Sequence, residues 1–177
     1  MKLPILLFLT TAAFAAEPVS VAKLYDGQLK SVESEFVPLA EAMPADRFDF
    51  RPTDGAFKDV RTFAQQIKHT AAVIYMVAAA AQGAKPPVDL GKGEAGPDNL
   101  KTKAEIVQFL KDAFAYAHKM TNMLTAQNEM DLVKSPFGGS DQPRAGLASI
   151  AVWHSFDHYG QMVVYARMCG VVPPASR

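Results

Sequence analysis

His154 and His158 stand four residues apart in the segment His154-Ser155-Phe156-Asp157-His158. On a helix that spacing puts two side chains on one face a turn apart, where two imidazoles can bind a single ion. Leu147, Ala151, Gln161, Tyr165 and Met168 recur around the pair at steps of three or four, so this stripe is expected to face a core. Buried imidazoles without partners would each leave a polar nitrogen unsatisfied. The pair therefore reads either as metal ligands or as two histidines satisfied by ordinary hydrogen bonds. The 177 residues contain four histidines and one cysteine. Cys169 alone can make neither an internal disulfide nor a thiolate cage, so His and carboxylates are the available ligands. Its own reading is a small buried apolar residue.

The other two histidines are less clear by spacing. His69 follows the stripe Val60, Phe63, Ile67, Ile74 and Ala78 but points about 200° away from Ile67 at 100° per residue. The run Ala71 to Ala81 is apolar on every side, so a wide buried arc could still include His69. His118 lies at the edge of the stripe Ile106, Leu110, Ala113, Ala117, Met120 and Leu124 and reads as a structural or surface residue. Asp157 points roughly 100° off the histidine pair. It could orient a ligand ring or accept a proton near an ion, or simply be a solvated residue on the helix flank. Tyr75, Trp153 and Tyr159 could line the mouth of such a site or be ordinary packing.

Helices must position these side chains, and Gly and Pro mark where helices stop. The 11 Gly and 12 Pro leave four windows: about Val19 to Met43, Lys58 to Gln82, Asn99 to Asn128 and Leu147 to Cys169. Each could hold a helix of roughly 30 to 37 Å at 1.5 Å per residue. Pro38 is expected to kink or end the first near Val37. No alternating pattern bounded by hairpin turns occurs, so the chain reads as all-α, a four-helix bundle. The linker Gly83 to Asp98 is long enough to return the chain along the bundle, which allows the second and third helices to run in the same direction.

Composition bounds the function. Eighteen basic residues balance 18 acidic ones, and 49% of the chain is apolar. A neutral chain of this length makes one domain and lacks the basic surface that nucleic acid requires. Met1-Lys2, an apolar stretch from Leu3 to Phe14, and small residues at Ala13 and Ala15 describe a secretory signal peptide cut after Ala15. The expected product, residues 16–177, is an exported protein, periplasmic or extracellular, without stable membrane insertion.

The C-terminal segment carries a resemblance. His154-x-x-x-His158, then Gly160-Gln161, then Tyr165-Ala166-Arg167 ending in Gly170 and Pro173-Pro174, resembles the last helix of the DinB-like family of four-helix metal proteins. Phe48-Asp49-Phe50-Arg51-Pro52 before a helix carrying His69 is similar to the family as well. The resemblance implies an up-down-down-up bundle, in agreement with the long linker. It further implies a divalent ion, zinc or nickel, held by His69, His154 and His158, and allows a homodimer formed through exposed helix faces. Some relatives are thiol-S-transferases and others are assigned as hydrolases.

Three neutral imidazoles leave a coordination position for water or substrate, and such an ion can lower the pKa of its water or activate a thiolate. The leading expectation is thus a metal-dependent enzyme acting on a small molecule, with Asp157 as the candidate proton acceptor or ligand orienter; the alternative is a non-catalytic metal- or small-molecule-binding bundle. His154-x-x-Asp157-His158 superficially matches an inverted zinc-protease motif, but a shorter Asp replaces its Glu. A haem attachment Cys-x-x-Cys-His and the Glu-x-x-His pairs of di-iron bundles are both missing from the sequence.

Overall fold

The computed structural model describes residues 18–177. The expected signal peptide and its cut fall outside these residues. Four helices follow in order: α1 (Val21–Ala42), α2 (Phe63–Ala81), α3 (Lys103–Asn122) and α4 (Arg144–Met168). Each lies largely within its Gly- and Pro-free window. Local chemistry sets their starts. Thr62 and Thr102 cap α2 and α3, each in a reciprocal box with Gln65 or Glu105 three residues on, and Ser20 caps α1. The first two N–H groups of α2, on Phe63 and Ala64, donate to the carbonyls of Phe50 and Phe48 at 2.9 and 2.8 Å. The Phe48–Pro52 segment is thereby tied to the start of the helix that carries His69. Phe48 and Phe63 also pack edge to face, with ring centroids 5.5 Å apart.

Side-chain contacts fix the directions of the helices. Lys103, at the start of α3, donates to the carbonyls of Glu41 and Met43 at the end of α1. His118, near the end of α3, meets Asp26 and Glu33 of α1. These two helices are antiparallel. Gln66, early in α2, bonds Gln161, late in α4, while the Arg144 guanidinium that opens α4 donates to the Ala81 carbonyl that ends α2. This pair is antiparallel too. Phe36 packs on Tyr159, and Gln28 and Ser31 share a groove with Ser149 and Val152, so α1 and α4 are parallel. The topology is up-down-down-up, and α1 and α2 each pack on both α3 and α4.

Parallel α2 and α3 require a return along the bundle, made by residues 82–102 over the outer face of α2. Gly96 allows the close approach: its φ is +78°, and a Cβ there would lie 2.7 Å from Lys68 Cβ and 2.8 Å from the Lys68 carbonyl oxygen. With α3 and α4 on two sides and the crossover on a third, α2 is buried nearly all round.

Three expectations need correction. Pro38 does not end α1, which continues to Ala42; it removes one helical N–H, but Leu39 and Ala40 are fully buried, and their packing holds the last turn in place. A short antiparallel pair, β1 (Leu132–Val133) with β2 (Gln142–Pro143), closes the loop before α4. Two residues per strand leave no alternation to read. Leu147, Ala151, His158 and Tyr165 of the expected α4 stripe are buried, but the buried arc extends to Ala148, Ser155, Met162 and Ala166, leaving Gln161 and Met168 exposed and His154 at its edge. This helix is apolar on most sides, and several stripes compete for the core.

Candidate metal centre

The two antiparallel helices α2 and α4 bring His69, His154 and His158 together. One ligand atom from each lies within 4.8 Å of the others. The ring centroids are 4.5 to 5.0 Å apart, and Nε2 of His154 is 3.2 Å from Nε2 of His158. His69 is 3% exposed although its spacing pointed it away from the Ile67 stripe. The crossover covers it: His69 Nδ1 donates to the Glu94 carbonyl at 2.7 Å.

A directed chain of hydrogen bonds holds the second ring. The Asp157 carboxylate can only accept, and takes a bond from Gln161 Nε2 at 3.2 Å. Gln161 Oε1 accepts from Gln66 Nε2 at 3.0 Å, and Gln66 Oε1 accepts from His158 Nδ1 at 2.6 Å. The chain puts the His158 proton on Nδ1 and leaves Nε2 as a bare lone pair turned toward His154. His69, with Nδ1 on a carbonyl, presents Nε2 in the same way. His154 Nδ1 is buried with no partner.

Lone pairs converging in a buried space, with donors facing outward, suit a cation and poorly suit one another. The residues present therefore fit a divalent ion held by His69, His154 and His158. Asp157 is not among the converging groups; it lies on the exposed flank, three hydrogen bonds from the Nε2 cluster. Of the aromatic candidates, Tyr75 is packed between Phe109 and Tyr116, and Tyr159 rests on Phe36. Trp153 alone stands beside the site, 5.9 Å from the His154 ring and 55% exposed. His118 bridges α3 to α1 through Asp26 and Glu33, away from the cluster.

Burial is the main reason that protonation of these rings is disfavoured. It holds His154 down to about 3, aided by the neighbouring imidazoles and Arg61 against the opposing charge of Asp157, and His158 to about 4, aided by His69 and Arg61. His69 is lowered by burial as well, against the opposing pull of its bond to Glu94. At neutral pH all three are free bases, the form that binds metal. The sign for stability follows. Between the unfolded histidine value of about 6.5 and these folded values the unfolded chain binds more protons, so stability falls as pH falls. We expect the urea midpoint of chelator-treated protein to drop from pH 7 to pH 4 and the His154→Ala/His158→Ala variant to show a flatter profile. Parallel profiles would contradict the assignment.

The sequence pattern of the DinB superfamily matches residues 28–162, a span that includes α2, α3 and all three histidines. The chain belongs to the DinB superfamily. No curated protein matches its sequence. Among solved structures, a conserved protein of Enterococcus faecalis superposes with a TM-score of 0.64 at 14% identity, covering 85% of this chain and 98% of that one. At that identity the likeness concerns the fold alone. Within this DinB chain, the residues that spacing alone did not single out for a role are Gln66, Glu94 and Gln161. Gln66 had a readable signal, lying one turn before His69 on the same helix. Glu94 contributes a backbone carbonyl, which any residue could supply.

Proposed function

We propose that the chain is an exported protein that binds zinc or nickel through His69, His154 and His158 and acts on a small molecule as a metal-dependent hydrolase or transferase. The observation that carries this reading is the convergence of three imidazoles whose outer nitrogens are held by Glu94 and Gln66 or left unpartnered. A divalent ion held by three neutral ligands supplies a Lewis acid with coordination positions left for water or substrate. The chain's own residues fix the orientations of the His69 and His158 rings, and their burial keeps the imidazoles unprotonated.

Elemental analysis tests the site. The purified protein is expected to carry about one divalent ion per chain, as a three-histidine site requires, and the His154→Ala/His158→Ala variant to carry none. Equal content in both would overturn the reading. Export is supported by the Lys2 start, the apolar stretch and the Ala13 and Ala15 pattern. No described helix is long and apolar enough to cross a membrane. Intact mass of protein recovered from the exported fraction should correspond to a chain starting at Ala16; a mass including residues 1–15 would refute cleavage there.

A second reading, a binding bundle without catalysis, is favoured by one observation: Asp157 is engaged by Gln161 and lies outside the histidine cluster. Turnover that survives Asp157→Asn would exclude Asp157 as an essential proton acceptor. Absence of turnover in metal-loaded wild type across ester, amide and thiol-transfer substrates would favour the binding bundle.

A further inference from the structure

Beside the histidines, at the N-terminal end of α2, lies a polar cleft of about 590 Å³. Arg51, Arg61 and Lys68 line it together with Gln66 and Gln161, the two glutamines of the His158 chain. Gln66 is thus a wall common to the cleft and the histidine cluster. Lys68 Nζ is tied to the Pro97 carbonyl at 3.0 Å. Arg51 and Arg61 are exposed, and among the described residues neither makes an ion pair. Asp59 and Asp98 also line the cleft, so its cations exceed its carboxylates by one.

Electrostatics then select the occupant. Three neutral imidazoles would not neutralise a divalent ion, although the carboxylate of Glu94, 3.9 Å from His69 Nδ1, and that of Asp157 act on the rings from the other side. Arg61 is near enough for its charge to reach all three rings. A planar guanidinium presents paired donors that match a carboxylate or phosphate. The volume suits a small molecule, and the small excess of positive charge suits one or two negative charges, not a polyanion.

We propose that this cleft is the anion-binding half of the substrate site, taking a small molecule with a carboxylate or phosphate group on Arg61 and Arg51. The inference rests on the metal reading for what is done to that molecule, but binding in the cleft can be tested separately. Calorimetric titration of the zinc-loaded full chain with inorganic phosphate, succinate and the neutral succinamide would test it, with metal content measured in the same samples. Phosphate or succinate should bind and succinamide should not, and the tighter of the two anions identifies the group recognised. Arg61→Ala should weaken anion binding about tenfold or more while retaining metal, and Arg61→Lys should recover part of the loss. Unchanged affinity in Arg61→Ala, or succinamide binding as tightly as succinate, would overturn the proposal. Arg61-dependent anion binding by wild type that holds no metal would support the cleft and refute the metal centre.

Discussion

Removing the metal should lower the melting temperature of the wild-type protein sharply and leave the His154→Ala/His158→Ala variant unmoved. A ligand that binds only the folded state stabilises it by RT ln(1 + [L]/Kd), about 4 kcal/mol when free ligand is a thousand times Kd. For a domain of this size each kcal/mol shifts Tm by about 2 to 4 °C, so a chelator should lower it by roughly 8 to 16 °C. The metal-free site adds an internal cost, because His154 Nδ1 is buried without a partner. The double alanine variant removes both polar rings at the expense of a cavity. Its chelator-treated stability should therefore fall less below that of chelator-treated wild type than two buried truncations usually imply. Differential scanning calorimetry with and without chelator reads both effects. An equal response of wild type and variant to chelator would remove His154 and His158 from the metal site.

Gly96→Ala should damage both the fold and the histidine site. At φ +78° a side chain costs about 1 to 2 kcal/mol, and overpacking typically adds about 1 to 3 kcal/mol. The new Cβ would meet the Lys68 carbonyl oxygen at 2.8 Å, a backbone group of α2 that cannot rotate aside. The crossover must lift, and Glu94, two residues earlier, lifts with it, weakening its hold on His69 Nδ1. We expect Tm to fall by roughly 5 to 15 °C and, since outer partners of metal-bound histidines typically matter 10- to 100-fold, metal affinity to fall by about that factor. Gly83→Ala is the control. It also has positive φ, +66°, but its Cβ would meet nothing within 4 Å, so it should lose stability without losing metal affinity. Equal loss of metal affinity in both variants would disconnect the crossover from the site.

The sequence was most legible where local chemistry decides. Four stretches poor in Gly and Pro became four helices, and the length of the Gly83 to Asp98 linker was enough to allow α2 and α3 to be parallel. Periodicity failed where burial came from more than one side. His69 pointed away from Ile67 and yet is buried, because the crossover covers the face that α3 and α4 leave open. On α4 the buried arc passes through Ser155 and Met162, since small and apolar residues on most sides gave no single preferred stripe. The histidine pair needed no tertiary knowledge, only i, i+4 spacing. Its supports did, since Gln66 and Gln161 meet across two helices, and a backbone carbonyl such as that of Glu94 carries no side-chain signature.

The placement of the ligands on α2 and α4, with the whole of α3 between them in the chain, has a kinetic meaning. His69 and His154 can meet only after a long loop has closed, and loop-closure entropy opposes such contacts until most of the bundle is assembled. A metal site completed that late contributes little to the folding transition state. Its free energy then goes mainly into slowing escape from the native state, so the ion should act as a late clasp that lengthens the lifetime of the fold far more than it hastens its formation.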